Sequence, residues 1–228
     1  MVNVIGFSRG GTHLFWCFIS SHSQLTNTKK EINDLVGFKS LGIIRKLKLE
    51  FCCLSGIYSA QFKGINASEV HKAVCSWYPN TLFRILRRHD PMKYVTNTDF
   101  SEHKTIFLVK AAGAQKASWM KRGAPENIAE TAYNEHLNRW RLYSKTHDCL
   151  FIDYKVFCDD PVKTTENIWS WLSLPKEDFP EQIEIKPKAF KSEPNGLKAD
   201  SKKRKWQLVE TEQLCASLKI DGQNSNYA

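Results

Sequence analysis

The chain has 228 residues, a hydrophobic fraction of 42% and a formal net charge of +9. Its length fits one large α/β domain or two small ones, and its apolar content is ample for a packed core. No apolar run reaches the roughly 18 residues that a membrane span needs, so a span is excluded. The positive charge favours a polyanionic partner: nucleic acid, an acidic membrane surface or a small phosphorylated ligand.

The cysteines indicate a reducing compartment. There are seven, an odd number without regular spacing. The first apolar segment begins at once, which leaves no room for a signal peptide. We therefore expect free thiols and a cytoplasmic location.

The first turn of the chain has the composition of a phosphate-binding loop. A short apolar strand over 2–6 is followed by two glycines and a cation, and then by apolar residues at helical spacing: Leu14, Phe15, Phe18 and Ile19. In such a turn the backbone N–H groups and the helix start attract an anion, and glycine lets the backbone come close to it. Arg9 would add a charge and the Thr12 hydroxyl a donor. The spacing and the lysine of a Walker A loop are absent.

The segment after the first helix is polar and weakly patterned. Residues 28–35 are predicted to form a short polar helix or a loop, and residues 36–66 one or two helices with a mobile, partly apolar loop. A capping-box spacing predicts a helix over 66–78. The next apolar run predicts a strand over 82–88.

The second half of the chain alternates apolar strands with helices. In order, the predicted elements are a strand over 105–109, helices over 114–121 and 126–145, a strand over 149–153, a helix that Asp159 or Asp160 caps and Pro161 begins, an extended segment over 176–205 and a last helix over 206–218. This alternation predicts a single three-layer αβα domain over 1–228 with a mainly parallel central sheet. In such sheets ligands bind at the carboxyl ends of the strands.

Cations and one aromatic hydroxyl follow the predicted strands. The turn at 9–12 follows the first strand, and the second strand ends at residues 87–89, two arginines and His89. Lys110 follows the third strand, and Tyr154 follows the fourth. Convergence of these residues on one rim would make a site for a phosphate-rich ligand with a ring and a histidine nearby.

This arrangement resembles the sulfotransferase family that uses 3′-phosphoadenosine 5′-phosphosulfate (PAPS). The family's 5′-phosphosulfate loop reads P-[KR]-S-G-T-T, to which Arg9, Gly11 and Thr12 correspond. The proline, the serine and the second threonine are absent. The family's 3′-phosphate motif is a strand, then R-[DN]-P-[KR], with a serine eight residues after the arginine. Lys110 and Ser118 keep that spacing, with lysine in place of arginine.

Three further segments resemble the family in the same order. Cytosolic members carry K-T-H-x-P, to which residues 87–91 are similar, and His89 lies 21 residues before Lys110. Residues 171–175 match F/W-L-x-L-P, and the basic run at 202–205 precedes a tryptophan, as in the family's C-terminal segment.

The resemblance implies a P-loop type α/β fold and the transfer of a sulfuryl group from PAPS to a hydroxyl or amine of a small-molecule, lipid or glycan acceptor. It assigns Arg9 and His89 to catalysis, with His89 as the base. His13 and Glu31 are alternative bases. The residues that it implies hold PAPS are Arg9, Gly10, Gly11, Thr12, His13, Lys110, Ser118, Tyr154 near the adenine, Lys202 and Lys203.

No metal is expected, because a sulfuryl group carries less charge than a phosphoryl group and the sequence has no ligand spacing typical of a metal site. Two other functions stay open. The net charge fits a nucleic-acid-binding protein, although no zinc finger, helix-turn-helix or RNA motif supports a nucleic-acid partner. The altered loops also fit a nucleotide-binding protein of the same fold that has lost catalysis.

Overall fold

A computed structural model describes residues 2–7, 10–31, 81–87, 104–121, 123–185 and 206–223. The seven strands of these residues are β1 (Val2–Phe7), β2 (Thr26–Glu31), β3 (Thr81–Arg87), β4 (Lys104–Val109), β5 (Cys149–Asp153), β6 (Gln182–Ile185) and β7 (Gln207–Glu210). Their six helices are α1 (Thr12–Ile19), α2 (Ala112–Met120), α3 (Glu126–Tyr143), α4 (Tyr154–Asp159), α5 (Pro161–Trp171) and α6 (Thr211–Gln223). The helix predicted over 66–78 lies outside the described residues.

Five strands form one parallel sheet in the order β2-β3-β1-β4-β5. The central strand β1 is buried along its whole length and pairs with β3 on one side and β4 on the other. Because all five strands run in the same direction, their carboxyl ends lie at one edge of the sheet. The chain leaves β1 at that edge, in the turn that leads to α1.

Helices cover both faces of the sheet. On one face, the Phe7 ring packs against Tyr133 and Trp140 of α3, with ring centroids 4.9 and 4.5 Å away. On the other face, Val2 and Val4 belong to a buried cluster with residues of α1, α4, α5 and α6. The prediction of a three-layer α/β fold with a parallel sheet is confirmed.

Two predicted elements are wrong, the polar segment over 28–35 and the start of the last helix. The segment predicted as a polar helix or loop over 28–35 begins with strand β2, an edge strand whose sequence, T-N-T-K-K-E, lacks the apolar alternation that predicts strands. The extended segment predicted over 176–205 contains β6. The last helix was predicted from residue 206, but β7 comes first and pairs antiparallel with β6.

Side-chain hydrogen bonds join the segment after α1 to the segment after α5. The His22 Nε2–H donates to the Pro175 carbonyl at 3.0 Å, and its Nδ1 accepts the Gln24 N–H at 3.1 Å. The Ser23 N–H donates to Glu177 Oε1 at 2.8 Å, and the Ser23 hydroxyl donates to Oε2. These bonds hold the end of α1, and hence its start at the turn, against the remainder of the helical layer.

The Glu177 contact predicts a loss of stability in acid. Desolvation opposes ionisation of this carboxyl, but the hydrogen bonds from Ser23 and the nearby His22 outweigh it and lower the pKa. A lowered pKa in the folded state stabilises the protein above the pKa of the unfolded chain, and this contribution is lost as the pH falls through the folded pKa. Glu177→Gln is therefore expected to cost about 1 kcal/mol at pH 7 and less at acidic pH.

Urea unfolding of the wild type and Glu177→Gln at pH 7 and in acid measures this difference. Glu181→Gln is the control, because Glu181 is exposed and its one hydrogen bond among the described residues is through its carbonyl, which accepts the Thr211 N–H at 2.8 Å. A constant difference between wild type and Glu177→Gln across the pH range would contradict the assignment.

Candidate functional site

The turn between β1 and α1 is a glycine turn closed by a backbone hydrogen bond. The Gly10 N–H donates to the Phe7 carbonyl at 2.9 Å. Gly11 is the N-cap of α1 and has a φ of 80°. A Cβ at Gly11 would lie 2.0 Å from Cε2 of Tyr154. Both the backbone conformation and the contact with Tyr154 thus require glycine at residue 11.

The first turn of α1 leaves backbone donors at the same edge of the sheet. The first N–H groups of a helix have no partner within the helix. The N-cap residue of α1 is Gly11, and no described side chain accepts a hydrogen bond from these N–H groups as a cap. Thr12 is buried, and its Cγ2 would lie 2.1 Å from a Cβ placed on Gly6. The methyl group of Thr12 therefore packs over β1 and sets the close approach of α1 to the sheet.

His13 faces the beginning of the last described segment. Its Nε2 lies 3.9 Å from the Cys17 Sγ, and its ring centroid lies 5.6 Å from that of Trp206. Trp206 also contacts Trp16 of α1, at 6.2 Å between centroids. The chain that follows the basic run at 202–205 is thus packed against the first turns of α1.

Lys110 lies at the carboxyl end of β4, close to Tyr154. Its Nζ is 5.1 Å from the centroid of the Tyr154 ring, a cation–π distance. Its carbonyl accepts the Tyr133 hydroxyl at 2.9 Å, which holds the strand end against α3. Desolvation by burial lowers the pKa of Lys110, and the charges of Asp221 and Cys158 oppose that shift.

Tyr154 connects the turn, β4 and the last helix. It begins α4 directly after β5, and it is only 3% exposed. Its ring lies against Gly11 and beneath Lys110, and its hydroxyl donates to Asp221 Oδ2 at 3.1 Å. Burial and the neighbouring Cys158 and Asp221 raise the pKa of Tyr154 well above its usual value. A ring so buried supports the turn, and the predicted position of Tyr154 near the adenine stays a prediction.

Ser118 lies near the end of α2, a helix that begins two residues after Lys110. Ser118 is half-buried. The next residue, Trp119, packs edge-on against Phe7 at 5.6 Å. This contact keeps α2 close to the end of β1, where the glycine turn starts.

The structure thus brings together the described candidates Gly11, Lys110 and Tyr154, with Gly10, Thr12 and His13 in the same turn and first helical residues. Other predicted site residues lie outside the described residues and stay predictions: Arg9, His89, Lys202, Lys203 and the side chain of Glu31.

Asp221 and Cys158 belong to this cluster and were missed from the sequence. Asp221 lies 67 residues after Tyr154, beyond the predicted end of the last helix. No local pattern indicates such a contact, because it depends on how α6 packs against α4.

Two kinds of feature are not found in the described part of the chain. No group of three or more histidine, cysteine or acidic residues among those described could hold a metal ion. The described helices include none that combines the length and the apolar character needed to cross a bilayer.

Known structures share this fold. No protein-family model matches the sequence, and comparison with curated proteins returns no match. The sulfotransferase domain from the curacin biosynthetic pathway superposes with a TM-score of 0.54 at 16% identity, covering 78% of this chain and 75% of that domain. The sulfotransferase domain of the Synechococcus PCC 7002 olefin synthase superposes with a TM-score of 0.55 at 15% identity, covering 78% of this chain and 74% of that domain. The chain therefore has the fold of these sulfotransferase domains.

Proposed function

We propose that the chain is a PAPS-dependent sulfotransferase that transfers a sulfuryl group to a hydroxyl or amine of a small-molecule, lipid or glycan acceptor. The observation that carries the proposal is the convergence of Gly11, Lys110 and Tyr154 at the carboxyl ends of β1, β4 and β5. This is the edge at which parallel α/β sheets bind ligands.

The 5′-phosphosulfate is assigned to the glycine turn. The start of α1 has no side-chain cap, so its N–H donors and the partial positive charge of the helix start are directed at the turn. Arg9, the residue before Gly10, would supply the full charge. The described residues thus fit a phosphate-bearing donor.

The 3′-phosphate is assigned to Lys110 and Ser118, helped by Lys202 and Lys203. Lys110 supplies a point charge in place of the planar fork of an arginine. Trp206, the third residue after Lys203 in the sequence, is held against His13 at the start of α1. Connectivity therefore supports a contact between this basic segment and the nucleotide.

The proposed chemistry needs a base and a charge stabiliser. PAPS supplies a sulfuryl group activated by its bond to phosphate. His89 would take the proton of the attacking acceptor group, since histidine titrates near neutral pH. Arg9 and the turn N–H groups would stabilise the negative charge left on the 5′-phosphate when the sulfur–oxygen bond breaks. His13 and Glu31 are the alternative bases.

A titration with 3′-phosphoadenosine 5′-phosphate, the desulfated product, tests the proposal. Lys110→Met is expected to weaken binding about 10- to 100-fold, because a charge-assisted hydrogen bond contributes about 1.5–3 kcal/mol. Lys110→Arg keeps the charge and is expected to retain most of the affinity. Isothermal calorimetry measures all three chains.

Lys104→Met is the matched control, because it removes the same charge at the opposite end of β4, about 20 Å away. We expect it to leave the affinity unchanged. Absence of binding by the wild type at millimolar nucleotide would refute the proposed function. Equal affinities of the wild type and Lys110→Met would exclude Lys110 from the 3′-phosphate site.

A nucleotide-binding protein without catalysis is the second candidate. It is favoured by the absence of the proline and serine that the family has in this loop, and by Lys110, which stands where the family has an arginine. It predicts the same binding results but no turnover. A screen of aromatic, lipid and glycan acceptors with PAPS, comparing the wild type with His89→Ala, separates the two. We also propose a cytoplasmic location, because seven cysteines, an odd number without regular spacing, are typical of a reducing compartment.

A further inference from the structure

The end of α6 is packed closely against the candidate site. A Cβ placed on Gly222 would lie 2.9 Å from the Cβ of Cys158, so the backbone of α6 touches α4 at this point. The preceding residue, Asp221, accepts the Tyr154 hydroxyl at 3.1 Å. The carboxylate of Asp221 is therefore held at the site by helix packing and by a hydrogen bond.

The side chains of Asp221 and Lys110 both contact Tyr154. The Lys110 Nζ lies over the Tyr154 ring, 5.1 Å from its centroid, and the hydroxyl of that ring is the group that binds Asp221. The negative charge of Asp221 favours the protonated amine of Lys110 and so opposes the lowering of its pKa by burial. The charge of Asp221 thus offsets part of the effect that desolvation has on Lys110.

We propose that Asp221 is a specificity-determining residue that weakens the site for a 3′-phosphate. The inference rests on the proposed function, in which Lys110 holds the 3′-phosphate. A phosphate held by the half-buried Lys110 would be repelled by the like charge of the Asp221 carboxylate, and salt screens this repulsion because Asp221 is exposed. A ribose 3′-hydroxyl carries no such penalty, because it can donate a hydrogen bond to a carboxylate.

The substitution Asp221→Asn tests this with two nucleotides that differ only in the 3′-phosphate. Asparagine removes the charge but keeps an oxygen that can accept the Tyr154 hydroxyl. We expect Asp221→Asn to tighten the binding of 3′-phosphoadenosine 5′-phosphate by about five- to tenfold at low salt, and that of adenosine 5′-phosphate less than about twofold. A loss of folded protein would weaken both nucleotides equally, so the ratio of the two affinities separates specificity from stability.

Glu212→Gln is the matched control. Glu212 is exposed in the first turn of the same helix, about 14 Å along the axis from Asp221. We expect it to change neither affinity. An unchanged ratio in Asp221→Asn, or weaker binding of the 3′-phosphorylated nucleotide, would overturn the inference while leaving the proposed function in place. Absence of binding of both nucleotides by the wild type would refute the proposed function and this inference with it.

Discussion

Gly11→Ala is expected to lower the free energy of unfolding by about 2 to 5 kcal/mol and to abolish the binding of 3′-phosphoadenosine 5′-phosphate. Two costs add up. A φ of 80° is strained for any residue with a Cβ, at about 1–2 kcal/mol. The new methyl group would also lie 2.0 Å from the Tyr154 ring, which cannot withdraw because it is buried between Lys110 and α6.

The backbone and steric costs can be separated within this chain. Gly123 has a φ of 88°, and a Cβ placed on it would meet no atom of the described residues within 4 Å. Gly123→Ala therefore carries the backbone strain alone, and we expect a cost of about 1–2 kcal/mol with nucleotide binding retained. Urea unfolding and calorimetry of the two variants measure both effects. Equal losses of stability would show that the contact with Tyr154 does not determine the turn.

Trp140→Ala is expected to lower the free energy of unfolding by about 3 to 5 kcal/mol, because removal of a buried aromatic side chain leaves a cavity. Trp140 is fully buried in α3. Its ring packs on Phe7 at 4.5 Å and stacks on Phe107 at 5.0 Å, so it joins α3 to β1 and β4 at once. Urea unfolding measures the loss.

The neighbouring Leu142 provides the control for Trp140. It lies on the same helix but is 61% exposed. Leu142→Ala is expected to change the free energy of unfolding by less than about 0.5 kcal/mol. Similar costs for the two substitutions would mean that α3 does not pack on the sheet as described.

The two expected losses concern one structural unit. Phe7 is the last residue of β1, and its carbonyl accepts the Gly10 N–H that closes the turn. Trp140 supports Phe7 from one face of the sheet, and Tyr154 supports Gly11 from the other. The shape of the candidate anion site therefore depends on packing in both helical layers.

Local patterns in the sequence were sufficient for the elements that form the centre of the fold. The apolar runs predict β1, β4 and β5 to within a residue or two. Strands β1 and β4 are almost wholly apolar because both of their faces are covered, whereas the edge strand β5 is partly exposed. The glycines at 10 and 11 predict the turn. Pro161 and its cap, Asp160, predict the start of α5, where the Asp160 side chain accepts the Lys163 N–H.

Elements that depend on distant partners were not predictable in this way. Strand β2 is polar and exists because it pairs with β3, whose sequence lies 50 residues later. Strands β6 and β7 are short and pair with each other across a segment of about 20 residues. Their hydrogen bonds are non-local, so no spacing within either strand reveals them.

The sequence by itself determined that cations, glycines and an aromatic hydroxyl follow the strands of a parallel α/β sheet, because strand and helix periodicity and the glycine turn are local properties. Only the tertiary structure decided what surrounds these groups. It placed the Tyr154 ring against Gly11, with Lys110 above it and Asp221 bonded to its hydroxyl. The physical reason is that close packing of α6 on α4 joins residues far apart in the chain, and no local pattern encodes such a contact.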